Sequence, residues 1–216
     1  MRAPTDTMTP EAIDLSSWDR AEHFHFFRAY ARPHYAVTCR LDASHLIARR
    51  HADRISPFRA CLHAMGTGLN ASAALRTRFR GDEVVRHDRI GLSITVPRER
   101  EGFAYAYLPW QPDFAAFDRD AAERMEAAAK ETGLKTSDIS GDGVAYLSCL
   151  PWMDFTALDH AVPDADDCIP RVSWGKIVEE GGRHKVAVNI QVHHAVVHGA
   201  DLGQFYQETQ TALNAL

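Results

Sequence analysis

The segment Val186-Ala187-Val188-Asn189-Ile190-Gln191-Val192-His193-His194-Ala195-Val196-Val197-His198-Gly199 constrains this chain more than any other. Up to the histidines it alternates as a half-buried strand does. After Gly199, Leu202, Phe205, Tyr206, Thr209 and Leu213 recur with the period of a helix face. His193 and His194 therefore straddle a strand end. Neighbouring strand residues point to opposite faces, so at most one imidazole of the pair looks into a given site. An imidazole is the side chain best suited to take a proton from a substrate hydroxyl at pH 7. The plain alternative is a structural pair of buried histidines, and His193, His194 and His198 together also raise a metal cluster. Against the cluster, the strand pattern and Gly199 start the helix only after His198, and no carboxylate stands in H-E-x-x-H spacing. No metal is expected.

Elsewhere the pattern alternates less regularly between strands and helices. Ser17 reads as an N-cap for the aromatic helix that carries Phe24, Phe26 and Phe27, behind a polar leader. A strand is expected over Tyr35 to Leu41, a short helix from about Ser44 to Asp53, and a longer helix opened by Ser56-Pro57 and weakened by Gly66 and Gly68. Arg76 to Val96 reads as strands about a turn at Arg80-Gly81-Asp82-Glu83, and Phe103 to Tyr107 as another strand. Pro112 to Glu131 reads as a helix ending before Gly133. Strands follow at Val144 to Ser148, Arg171 to Glu179 and Lys185 to His193, the last two joined as a hairpin through Gly181-Gly182. This order argues α+β with a mixed or largely antiparallel sheet flanked by helices.

A chain of 216 residues can bury a core without disulfides or metal, and nothing splits it, so one domain over 1–216 is expected. A net charge of −5 with 25% charged residues excludes a basic nucleic-acid surface. Cys39, Cys61, Cys149 and Cys168 are scattered without a C-x-x-C pair and read as reduced thiols. With no apolar leader and no apolar run of membrane-spanning length, a cytoplasmic protein is expected. Gly66-Thr67-Gly68 lies inside a helical pattern and is no phosphate loop.

Four segments, in order, resemble one family. The last of them resembles the Q-V-H-H-A-x-x-D-G box of the trimeric, CoA-dependent chloramphenicol acetyltransferases. Trp18-Asp19-Arg20-Ala21-Glu22-His23-Phe24 is similar to that family's W-x-R-x-E-H-F segment. Ser148-Cys149-Leu150-Pro151-Trp152-Met153-Asp154-Phe155 is similar to its S-x-x-P-W-x-x-F segment, and Ile169-Pro170-Arg171-Val172-Ser173-Trp174-Gly175-Lys176 to its A-P-x-x-T-x-G-K strand. The resemblance implies a CoA-dependent acyltransferase fold and acetyl-CoA as co-substrate. It also implies a small hydroxylated aryl acceptor such as chloramphenicol, antibiotic resistance, and a homotrimer with its site between subunits.

By the same resemblance His194 is the general base. A thioester is already activated, so a base and an oxyanion donor suffice without a covalent enzyme intermediate. Ser148 is implied as that donor, loss of which typically costs about 2.7–4 kcal/mol of transition-state stabilisation. Phe26, Phe27, Phe103 and Leu158 are implied as the acceptor pocket and Ser173 as reaching it through a water; each apolar residue also reads as plain core. Trp152 and Lys176 are implied as neighbours of the cofactor arm. Arg20, His198 and Gly199 support the site.

Position 198 departs from the box, which carries Asp there as the partner of the arginine matching Arg20. Arg20 then needs another acceptor: Asp201, Asp19 or Glu22, or a neutral His198. Position 27 is often tyrosine or another aromatic in the family, and His160 stands where an apolar pocket residue is expected. These departures leave two rivals: an acyltransferase for another small hydroxyl or amine acceptor, and a member that binds ligand or CoA without turnover.

Overall fold

The computed structural model describes residues 9–98, 102–131 and 141–216. Within them the strands are β1 (Glu11–Ile13), β2 (His34–Asp42), β3 (Thr77–Arg80), β4 (Glu83–Arg86), β5 (Gly91–Pro97), β6 (Phe103–Leu108), β7 (Val144–Leu150), β8 (Arg171–Glu180) and β9 (Arg183–His193). The helices are α1 (Ala21–Arg28), α2 (Ser44–Asp53), α3 (Pro57–Ala71), α4 (Phe114–Ala129) and α5 (Gly199–Asn214). The expected helix end at Gly133 and leader residues Met1 to Met8 lie outside the described residues.

The main sheet has the order β2-β9-β8-β7-β5-β6 and is mixed, with β7 parallel to both β5 and β8 and the remaining pairs antiparallel. A second sheet, β1-β4-β3, is wholly antiparallel. The β8–β9 hairpin turns at Gly181 and Gly182, whose φ of 60° and 75° are those a two-residue hairpin loop of primed type requires. Ser56 and Asp113 cap α3 and α4 by accepting from the N–H of Arg59 and Ala116.

One face of the main sheet is sealed by helices. Ile94, Leu147, Val172, Val188 and Ile190 point into it and pack with Leu62, Met65 and Leu69 of α3 and Phe205 of α5 in one continuous core. The glycines expected to weaken α3 sit where it is crowded. A Cβ on Gly68 would lie 2.2 Å from Thr209 Oγ1 and 2.6 Å from the carbonyl of Phe205, and one on Gly66 would strike the Trp110 ring. Lost helix propensity is offset there by close packing of α3 on α5.

The opposite face carries the alternate residues. Over β8 and β9 it is covered by residues 151–170, a strap without helix or strand that makes the crossover between parallel β7 and β8. Three β9 side chains spaced two apart hold it. Asn189 Nδ2 donates to the Leu158 carbonyl at 3.0 Å. The Gln191 amide pairs with both backbone groups of His160, at 2.6 and 3.2 Å. His193 Nε2 lies 3.0 Å from the Ala165 carbonyl. Arg171 grips the strap's Asp167 with two hydrogen bonds of 3.0 and 2.7 Å.

Two expectations are corrected. Ser17 caps no helix: its hydroxyl donates to the Asp14 carbonyl within a turn, and α1 begins at Ala21 after Arg20. The Asp14 carboxylate accepts from both the N–H and the hydroxyl of Ser16, drawing the chain into a local turn that competes with helix. Within the leader, Glu11–Ile13 is a strand paired with β4. The other elements fall within a few residues of their expected ends.

Candidate active site

At the end of β9 the two histidines part. His193 is 1% exposed and fully engaged: Nε2 faces the Ala165 carbonyl and Nδ1 accepts the Ala195 N–H at 3.1 Å. Burial, then the neighbouring His34 ring, pushes its pKa down to about 4, so it is neutral at physiological pH. His193 is therefore structural.

His194 turns the other way. Its backbone N–H is tied to the Pro33 carbonyl at 2.9 Å, and its ring stacks on Phe27 at 3.8 Å with planes 6° apart. The Tyr35 ring lies 4.5 Å away. Two aromatic walls, one from α1 and one from β2, thus fix the ring of a half-buried histidine. Its Nδ1 is buried and has no partner among the described residues.

The turn between β9 and α5 is braced from α1. Arg20 sends NH1 and NH2 to the two oxygens of Asp201 at 2.7 and 2.9 Å, and NH1 also reaches the Val196 carbonyl at 3.3 Å. Asp201 stands at the third position of α5 and its Oδ2 accepts the His198 N–H at 2.7 Å, so one carboxylate caps the helix and pairs the guanidinium. Burial pushes the Asp201 carboxyl up. The hydrogen bonds from Arg20 and His198 and the Arg20 charge more than offset this and hold it below the usual carboxylate value. Of the four side chains expected as possible acceptors for Arg20, Asp201 is the one used. The His198 ring lies between the rings of His194, at 5.8 Å, and His23, at 5.1 Å. His23 carried no signal beyond its place in the N-terminal segment.

The remaining expected residues fall into two groups. Phe26 shares α1 with Phe27, stands 58% exposed and forms an aromatic cluster with Phe27 and Tyr30 on the His194 side. Ser148, Ser173 and Phe103 belong to β7, β8 and the edge strand β6, on the sheet face away from the helices; Leu158 lies in the strap. Ser148 pairs with Ser173, and Ser173 with Asn189. His194 lies five residues beyond Asn189 and two strands across from Ser148, so the expected base and the expected oxyanion donor of one chain are on the order of 20 Å apart. The chain does not bring them together by itself. Gly199 opens α5, exposed, and a Cβ there would meet nothing within 4 Å, so packing within the chain does not demand glycine.

Trp152 is 79% exposed at the start of the strap. Close by, a cavity of about 460 Å³ opens between α2, α3 and the β7–β8 region, with Phe58, Cys149, Pro151 and Trp174 as its apolar lining and Arg50, His51, Lys176 and His184 as its polar rim. At Gly175–Lys176 β8 bulges and the Lys176 N–H donates to the Met153 carbonyl at 2.8 Å. A Cβ on Gly175 would come within 2.5 Å of that carbonyl, so glycine is needed there. Arg50, His51 and His184 escaped the sequence reading, because residues so far apart in sequence leave no motif. Among the described residues no cluster of His, Cys, Asp or Glu is arranged to hold a metal. All four cysteines are free.

Comparison with known proteins places these features in context. A family model described as "Chloramphenicol acetyltransferase" matches residues 8–210. A chloramphenicol acetyltransferase of Streptomyces acrimycini is 27% identical over 208 residues, covering 95% of this chain and 94% of that protein. Chloramphenicol acetyltransferase 3 of Escherichia coli is 25% identical over 205 residues, covering 94% and 96%. Among solved structures, a chloramphenicol acetyltransferase superposes with a TM-score of 0.89 at 23% identity, over 95% of this chain and all of the other, which establishes the shared fold.

Proposed function

The chain belongs to the chloramphenicol acetyltransferase family, and on that premise we propose that it is an acetyl-CoA-dependent O-acetyltransferase acting on a hydroxyl of chloramphenicol. The observation that carries the reading is the contrast at the strand end: His193 is committed to the strap, and His194 is held between Phe27 and Tyr35 with a nitrogen unengaged. In the reaction His194 removes the acceptor's hydroxyl proton as that oxygen attacks the thioester carbonyl. The tetrahedral oxyanion takes a hydrogen bond from Ser148. Collapse breaks the carbon–sulfur bond, and the leaving thiolate takes the proton from the imidazolium, so no covalent enzyme intermediate is needed.

The separation of Ser148 from His194 supports a site shared between copies of the chain in a homotrimer. His194, Phe26 and Phe27 of one copy then face Ser148, Ser173, Phe103 and Leu158 of the next. Acetyl-CoA fits the cavity beside Cys149: the acyl arm passes Trp152 and Trp174, and the phosphates meet Lys176, Arg50, His51 and His184. The four free thiols suit a reducing compartment, and we place the protein in the cytoplasm.

One observation favours a second reading, an acyltransferase for a more polar acceptor: the His160 ring stands on the strap near Leu158, where the resemblance implies an apolar side chain. The non-catalytic reading loses its motive, because Asp201 supplies the carboxylate that position 198 lacks. The test is thiol release from acetyl-CoA by purified protein with chloramphenicol, beside a His194→Ala variant. Turnover that disappears in the variant is the expected result; equal turnover in both removes His194 as the base. Parent turnover restricted to other hydroxylated acceptors selects the second reading.

A further inference from the structure

We propose that Cys149 is a modification site that takes coenzyme A as a mixed disulfide, from the coenzyme's own disulfide, and that this capture reversibly closes the acetyl-CoA cavity. The inference rests on the reading of that cavity as the acetyl-CoA site and adds a redox control to it. Two of the four free thiols, Cys61 and Cys149, line the same cavity of about 460 Å³. The fold brings them there from opposite walls. Ser148 faces away from the helices, so Cys149 faces α3. Cys149 is the register partner of Trp174, the Phe58 ring of α3 packs on Trp174 at 5.2 Å, and Cys61 follows Phe58 by about one helical turn. Cys61 is 2% exposed and Cys149 half-buried, so Cys149 is the thiol that an occupant of the cavity meets first. Neither thiol hydrogen-bonds to another group among the described residues.

The surroundings select the reagent. Burial pushes the Cys149 thiol up to about 12, and burial with the neighbouring Cys149 does the same for Cys61. Little thiolate is present at pH 7, so a disulfide that merely collides with the chain reacts slowly. One held in the cavity reacts at a raised effective concentration. The rim supplies the hold. Arg50 and Lys176 pair with no carboxylate among the described residues, His51 and His184 stand beside them, and phosphates on the reagent answer that charge. In the exchange the Cys149 thiolate attacks one sulfur of the coenzyme disulfide. The sulfur–sulfur bond breaks, a disulfide between Cys149 and one coenzyme forms, and the other coenzyme leaves as a thiolate that takes up the proton Cys149 lost. Cys149 is oxidised and the departing sulfur reduced, so no further oxidant enters. The attached coenzyme fills the space acetyl-CoA needs, and an excess of free thiol reverses the step.

The experiment incubates the purified protein with CoA disulfide or with uncharged hydroxyethyl disulfide, then follows intact mass, cysteine-containing peptides and, after gel filtration, thiol release from acetyl-CoA. Calorimetry with CoA runs alongside. The parent is expected to gain one coenzyme on the peptide holding Cys149, about 10- to 1000-fold faster than it reacts with the uncharged disulfide. Acetyl transfer falls in step with the mass gain and returns with dithiothreitol, and acetyl-CoA added beforehand slows the capture. Cys149→Ser gains no coenzyme, and the treatment leaves its own activity where it stood. Capture on Cys39, Cys61 or Cys168, an internal disulfide without gain of coenzyme, or equal rates with the two disulfides overturns the role of Cys149 alone, provided calorimetry shows CoA bound. Absence of CoA binding, or capture that acetyl-CoA does not slow, overturns the reading of the cavity itself.

Discussion

Asp201 answers two demands, one from the Arg20 guanidinium at the N-cap of α1 and one from the N–H of His198 at the N-cap of its own helix. Removing it strands a positive side chain about one-third exposed. The cost lies between that of a surface pair and a buried one. Asp201→Asn is expected to lower stability by about 2 kcal/mol at pH 7 in urea titrations. The sign of its pH dependence follows from the lowered carboxyl pKa in the folded chain. The stabilisation is complete above the unfolded value and disappears as pH falls through the folded one, so the gap between parent and variant closes in acid. An undiminished gap at pH 3 would contradict this account. At this scale the sequence named Asp201 as one of four possible partners and could not choose, because no pattern connects positions 20 and 201. What it did determine was that one imidazole of the pair at most is chemical, since that depends only on the two-residue period of a strand.

Helix α5 carries Asp201 and meets α3 at Gly68, where two helices touch nearly backbone to backbone. Gly68→Ala improves local helix propensity by about 1 kcal/mol, yet its methyl would overlap the Phe205 carbonyl, which cannot rotate away as a side chain can. Net destabilisation of about 2 kcal/mol is expected in thermal or urea unfolding, because the helices must separate. Stabilisation would show the contact to be looser than described. Elements with a period or a cap were legible: α2, α3, β2 and the β8–β9 hairpin each follow from local signals. The Ser17 cap failed because Asp14 and Ser16 supply a competing turn a few residues earlier. β1 was missed since three residues carry too little alternation to stand out from a polar leader. The strap was illegible for a different reason, as its order comes from β9 side chains and not from any periodicity of its own.

Across the whole molecule, among the described residues and apart from Trp152 beside the cavity, aromatic surface is left open at two separated places, Phe26 of α1 with Tyr30 just beyond it, and Phe103 with Tyr146 on the sheet. Partnering of the two in neighbouring copies would cover both and unite His194 with Ser148. Co-expressed His194→Ala and Ser148→Ala chains are then expected to recover about a quarter of parent activity, since one in four randomly formed interfaces pairs the two intact residues. Either variant alone stays near background. No recovery in verified mixed oligomers would place both residues of a site in one chain. Between residues 155 and 165 the strap is fastened through its backbone by Asn189, Gln191 and His193 and not by a strand ladder, so the side chains of that stretch are scarcely constrained by the fastening. Residues 155–165 can change identity while those anchors stay fixed, so on the proposed function the strap is where a change of acceptor would leave His194 undisturbed.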